Sequence, residues 1–193
     1  RNCPWRKQIL EGMLAADLVT FHLKEHGDNF LESARRESEV EVSPADGNVR
    51  QGRRSTRVRA DPASVDYEDW SRLAQQPETS ARREAWKTRL SLGAQRVLLS
   101  IGRFDSTEGV QERVRAYARL LELHPEYRGR VLLLEIAIPI RGSLPTYSSF
   151  QSETIRLIEE VNRTYGSDSW RPIVVVSEPQ IKSELAALYQ LAD

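Results

Sequence analysis

From Val97 onward the chain alternates short apolar runs with amphipathic ones, and this alternation is what most restricts its fold. Val97–Ile101 is an apolar run, and Val110, Val114, Tyr117 and Leu121 follow at helical spacing. Val131–Ile138 reads as a second, continuously apolar run, followed by Ile158, Val161 and Tyr165. Ile173–Val176 is a third run, and Ile181, Leu185 and Leu188 close the series. Short apolar runs read as buried strands and the 3.6-residue spacings as helices, so the order is β-α-β-α-β-α. Strands joined through helices pair in parallel by right-handed crossovers, with helices covering the sheet. The predicted fold class is therefore α/β. Ligands on such sheets bind beyond the carboxyl ends of the strands. That rule directs attention to the loops beginning at Gly102 and at Pro139, over Arg103–Gly109 and Pro139–Tyr147.

The preceding half is patterned differently. Pro4 suits a first helical position, and Ile9, Leu10, Met13 and Leu14 follow at helical spacing. Ala16–His22 reads as a short buried strand, and a second helix is expected from about Lys24 to Arg36, with Phe30 and Leu31 inward. Between Glu39 and Ala60, Val40 and Val42 alternate with glutamates, and turns fall at Asp46-Gly47 and Gly52, so a β-hairpin or meander is expected. Arg50, Arg53, Arg54, Arg57 and Arg59 on these strands read as a solvated face. From Asp61 to Gly93 a linker and short polar helices are expected, punctuated by Pro62 and Pro77 and anchored by Trp70 and Trp86.

Composition removes several function classes. Lys plus Arg is 28 and Asp plus Glu is 28, so the net charge is zero. Nonspecific nucleic-acid binding needs a cationic surface, so no nucleic-acid partner is expected. The single Cys3 excludes an internal disulfide and a multi-cysteine zinc site, and it fits a reducing, cytoplasmic setting. No apolar run approaches the roughly 18 residues that span a bilayer, so no membrane partner is expected. His22 and His26 lack the spacing of a metal site or a catalytic triad, and His22 reads as structural.

The stretch Gly102-Arg103-Phe104-Asp105-Ser106-Thr107-Glu108-Gly109-Val110 joins a strand to a helix. Free backbone N–H groups and the helix dipole make such a junction a place for anions. Arg103 adds a fixed cation with a planar donor fork suited to phosphate.

At these loops the chain resembles the trehalose-6-phosphate synthase family of retaining glycosyltransferases. That family carries an Asp-Arg-(Leu/Ile)-Asp-Tyr-x-Lys-Gly pattern after a strand. Arg103, Asp105 and Gly109 match it, Phe104 is an apolar equivalent, and Thr107 occupies the variable place. Gly102 stands for the first Asp, Ser106 for the Tyr and Glu108 for the Lys. The second loop, Ala137-Ile138-Pro139-Ile140-Arg141 with Pro145 and Tyr147, is similar to the family's Ala-x-Pro-(Ser/Thr)-Arg pattern. Pro4-Trp5-Arg6, Ala16-Asp17-Leu18, Phe21-His22, Pro62, Asp66, Asn162, Gly166, Trp170, Pro172, Glu184-Leu185, Leu188-Tyr189 and Ala192-Asp193 continue the likeness in order.

The resemblance implies a GT-B fold: Rossmann-like parallel sheets flanked by helices, incomplete at both ends. Residues 1–60 would close the first, acceptor-side domain and include the hairpin, residues 61–95 would link, and residues 96–193 would form most of the nucleotide-sugar donor domain. It implies transfer of glucose from UDP-glucose, as co-substrate, to glucose-6-phosphate, giving trehalose-6-phosphate. No cofactor and no metal are implied. Fixed cations and backbone donors would stabilise the leaving diphosphate instead. Arg103 aligns with the arginine that holds the diphosphate, Arg141 with one that reaches the acceptor phosphate, and Leu185 with the position against the nucleotide base. The family's catalytic segment aligns upstream of Arg1 and its acidic ribose-binding segment downstream of Asp193. The chain is therefore expected to be the middle of a longer enzyme, inactive and poorly soluble by itself, and homo-oligomerisation stays open. Glu108 replaces a phosphate-binding lysine. Two unit charges ~5 Å apart at an effective dielectric of ~20 interact by roughly 3 kcal/mol, so reversing one costs up to about 6 kcal/mol before screening. The alternative reading is a catalytically impaired relative with a regulatory or scaffolding role, and a third is a relative using a cyclitol or other pseudo-sugar.

Overall fold

The computed structural model describes residues 3–139 and 145–193, the side chains of 145–147 aside. Arg141 lies outside the described residues. The chain divides into two compact units, Arg1–Asp66 and Tyr67–Asp193.

In the first unit, helix α1 (Arg6–Met13) leads to strand β1 (Leu18–Phe21), helix α2 (Lys24–Glu37) and strands β2 (Glu41–Ser43), β3 (Asn48–Gln51) and β4 (Arg54–Ala60). Pro4 sits in the turn before α1, not at its first position, because the helix opens at Arg6 after Trp5. The expected meander is present as the antiparallel series β2-β3-β4. Its last strand, β4, also pairs in parallel with β1, giving the sheet order β1-β4-β3-β2. Helix α2 is the crossover that this parallel pairing requires. Its buried face carries Phe30, Leu31 and Ala34 against Val19, Val49 and Val58. A phenylalanine, leucine or valine side chain fully removed from water contributes about 1.5–3 kcal/mol. Thr56 on β4 is buried, and its hydroxyl lies 2.8 Å from the carbonyls of Leu14 and Ala16, which ties the α1–β1 connection to the sheet. The arginines at 50, 53, 54, 57 and 59 are all exposed, as a solvated face requires.

In the second unit, helices α3 (Tyr67–Ala74) and α4 (Pro77–Arg89) precede strand β5 (Arg96–Arg103), helix α5 (Val110–Leu123), strand β6 (Val131–Ile138), helix α6 (Pro145–Tyr165), strand β7 (Ile173–Val176) and helix α7 (Lys182–Leu191). The sheet is parallel throughout, in the order β5-β6-β7. Both faces are covered. Trp86 of α4 and Ala187, Leu188 and Leu191 of α7 pack on Val97, Leu132, Leu134 and Ile136. Val114, Tyr117 and Leu121 of α5, with Ile158 and Val161 of α6, pack on Val131, Leu133 and Ile173.

Residues 61–95, expected as a linker with short helices anchored by Trp70 and Trp86, contain α3 and α4. Residues 61–66 stay with the first unit, while α3 and α4 belong to the second. The cause is burial: Trp86 is in the core, and its indole N–H donates to Glu184 of α7 at 2.7 Å, while Arg82 pairs with the same carboxylate. Trp70 meets Tyr189 of α7 edge-to-face at 5.8 Å. Helix α7 carries the chain back from β7 to the open edge of β5. There Asp193 donates its backbone N–H to the Val97 carbonyl at 3.1 Å and accepts the Val97 N–H through Oδ2 at 2.9 Å. The chain therefore leaves β5 in one direction and returns to its other side. Ligands on parallel sheets of this kind bind beyond the carboxyl ends of the strands.

Candidate functional site

The carboxyl end of β5 is Gly102-Arg103, and the loop beyond it is held from inside. Phe104 is buried and meets Phe150 of α6 edge-to-face at 6.4 Å. Asp105 caps a single 3-10 turn, Ser106–Glu108, by accepting the Thr107 N–H at 3.1 Å. That bond is the main cause that holds the Asp105 carboxyl below its ordinary range. Gly109 then adopts φ 66°, a left-handed conformation that favours glycine, and α5 opens at Val110. Glu108 thus lies before α5, not in its first turn.

Its partner is Arg103. The guanidinium Nε donates to Glu108 Oε1 at 3.2 Å, and Nη2 is 3.8 Å from Asp105 Oδ2. The Arg103 side chain is 62% exposed, so it is open to solvent while held by these neighbours. The other Glu108 oxygen, Oε2, lies over the end of β5, where a Cβ on Gly102 would stand 3.2 Å away. Two carboxylates against one guanidinium leave this loop with one net negative charge at neutral pH.

Beneath the loop lies a network that the sequence reading passed over. Residues 131–138 read as continuously apolar, yet Glu135 stands in their middle, 1% exposed. It is satisfied by the Ser100 hydroxyl at 2.9 Å and by Arg113 of α5, which donates Nε and Nη2 to its two oxygens at 3.1 Å each. The third Arg113 donor, Nη1, reaches the Glu108 carbonyl at 3.3 Å. One guanidinium therefore neutralises a buried carboxylate and pins the loop. The signal was present: a lone carboxylate in a buried strand needs a cation, because an unpaired charge there is too costly to keep.

Leu185 is half-buried in the first turn of α7, at the same end of the sheet as the Gly102–Gly109 loop. His22 is exposed and its Nδ1 accepts the Ala63 N–H at 3.2 Å, a structural role. Among the described residues no group of three or more His, Cys, Asp or Glu side chains is placed to hold a metal ion, and no helix is long and apolar enough to cross a membrane.

The sequence description of Glycosyltransferase family 20 matches residues 1–193, the whole chain. The chain belongs to glycosyltransferase family 20. Among family relatives, a bifunctional trehalose-6-phosphate synthase/phosphatase of Thermoproteus tenax is 36% identical over 189 residues, which is 98% of this chain and 25% of that protein. An alpha,alpha-trehalose-phosphate synthase (UDP-forming) of Pichia angusta is 31% identical over 193 residues, covering 100% of this chain and 40% of that one. The crystal structure of an alpha,alpha-trehalose-phosphate synthase (UDP-forming) from Burkholderia xenovorans in complex with glucose-6-phosphate superposes with a TM-score of 0.88 at 25% identity, over 98% of this chain and 41% of that one. The fold is thus of the GT-B type, and the chain spans a quarter to about two-fifths of the length of these relatives. In this loop Gly102 and Glu108 are neighbours in space: the carboxylate of one lies against the room left by the other's missing side chain.

Proposed function

We propose that the protein carrying this chain is a retaining glycosyltransferase that moves glucose from UDP-glucose to glucose-6-phosphate and forms trehalose-6-phosphate. The observation that carries this reading is Arg103. It is a solvent-open guanidinium at the carboxyl end of β5 in a parallel sheet, in a chain whose full length matches glycosyltransferase family 20. In this reading residues 96–193 belong to the donor domain and residues 1–60 to the acceptor side. Arg103 holds the diphosphate, Leu185 borders the nucleotide base and Arg141 reaches the acceptor phosphate. The charge that develops on the leaving diphosphate is met by guanidinium and backbone donors, with no metal required. A cytoplasmic setting accords with the single free thiol, Cys3.

The test is release of UDP from UDP-glucose in the presence of glucose-6-phosphate, assayed on the longest natural protein that carries the chain. Arg103→Ala should reduce the rate by two orders of magnitude or more, on the scale of losing one preorganised donor to a developing oxyanion. Absence of UDP release with any nucleotide sugar would sink the enzymatic reading.

The Arg103–Glu108 ion pair specifically favours a second reading, a relative with an impaired donor site and a regulatory or scaffolding role. Glu108→Lys separates the two. UDP binding gained only in the lysine variant supports the impaired reading, and micromolar binding by the natural sequence refutes it.

A further inference from the structure

Glu108 and Gly102 act together. The Glu108 carboxylate places Oε1 3.2 Å from Arg103 Nε. It places Oε2 at the spot where any Cβ on residue 102 would press on it, at 3.2 Å. Gly102 lies within β5 and its φ is outside the left-handed region, so no backbone conformation there requires glycine. What the missing side chain provides is space for a carboxylate. The Glu108 backbone is also fixed on its other side, where Arg113 holds its carbonyl at 3.3 Å. The side chain is thus directed across the end of β5 onto Arg103, and Asp105 adds a second negative charge 3.8 Å from Nη2.

We infer that Glu108 is a built-in counter-ion that an incoming phosphate must displace from Arg103, and that Gly102 exists to seat it. It rests on the donor reading above, because Arg103 is taken as the anion-binding group. Glu108 is then a specificity-determining residue. It sets a threshold at Arg103 that a singly charged anion crosses poorly and a diphosphate crosses by offering more donor–acceptor bonds than one carboxylate can. No backbone rearrangement is needed. Arg103 is already open to solvent, and the Glu108 side chain has rotatable bonds that carry it off the strand end.

The experiment is a double-mutant cycle read by calorimetric titration of UDP into the natural protein, Glu108→Gln, Arg103→Gln and the double variant. Glu108→Gln keeps size and hydrogen bonding but removes the competing charge. It should tighten UDP binding about tenfold, the combined scale of an exposed ion pair and of one like-charge contact in water. The gain should shrink at least threefold in the Arg103→Gln background, where there is no guanidinium to release. Gly102→Ala alters no charge, yet it should tighten UDP two- to threefold by crowding the carboxylate, which must give by a few tenths of an ångström beside Arg103. An equal gain from Glu108→Gln in both backgrounds would show simple charge repulsion and overturn the counter-ion. No gain from Glu108→Gln, with binding still lost in Arg103→Gln, would overturn it and leave the donor reading standing. Absence of UDP binding in all variants would overturn both. The seating role of Gly102 falls if Gly102→Ala leaves UDP affinity unchanged.

Discussion

At the scale of single residues, the side chains that matter most are those that replace a missing backbone partner. Asn162, near the end of α6, donates Nδ2 to the Ile173 carbonyl at 2.9 Å and accepts the Ile173 N–H at 2.8 Å. It acts as one rung of a strand that is not there, at the buried start of β7. Asn162→Ala should destabilise the second unit by about 2–3 kcal/mol, since both backbone groups lose their partner in a dry place. Urea unfolding followed by tryptophan fluorescence would measure it, and an unchanged midpoint would contradict the bracket. Asp105 offers a pH test. Its folded pKa is depressed, chiefly by the Thr107 backbone N–H, with help from Arg103. The stability it supplies is therefore full above its unfolded pKa, about 3.9, and is lost as pH falls through the lower folded value. Asp105→Ala should lower the urea midpoint at pH 7, and the difference from the natural sequence should narrow towards pH 3. A gap of constant size across that range would show that the carboxylate charge is not what stabilises the turn.

At the scale of elements, the hairpin of the first unit turns on a residue that its neighbours make irreplaceable. Gly47 adopts φ 70°, and a Cβ there would stand 2.2 Å from the Val58 carbonyl oxygen. The close approach is used: Val58 donates its N–H to the Gly47 carbonyl at 2.7 Å, which bonds the turn to β4. Gly47→Ala should cost at least about 2 kcal/mol, from left-handed strain and the collision together. Far-UV circular dichroism during thermal unfolding would report it, and a shift of less than a degree would mean that the hairpin end moves freely. The Asp46-Gly47 pair made this turn legible beforehand. The parallel partnership of β1 with β4 was not legible, because nothing in the residues 18–21 or 54–60 names a partner; the pairing arises when α2 lays its apolar face across both strands. Likewise Glu135 was visible as a letter but not as a site, since its meaning depends on Arg113 standing 3.1 Å away on the preceding helix, α5.

At the scale of the whole molecule, the apolar cores are private to the units. The clusters around Leu134 and Leu133 draw every member from residues 67–193, and the cluster around Val49 draws its members from residues 1–66. Residues 67–193 expressed alone should retain slow amide hydrogen exchange through β5 and β6. Exchange at unfolded rates would mean that this unit depends on the first for its stability.

Hydrophobic period and turn chemistry are local properties, and they settled what they could by themselves. The α/β class, the helices from α5 to α7 and the strands of the parallel sheet all follow from spacing that a single stretch of chain carries. Three matters waited for the tertiary structure. Trp86, expected to anchor its helix, proved to donate to Glu184 almost a hundred residues later. Residue 135 proved to be half of a buried ion pair. Glu108 proved to pair with Arg103. In each case a polar group is brought to its partner by packing, and charge pairing acts over ångströms in space whatever the separation along the chain.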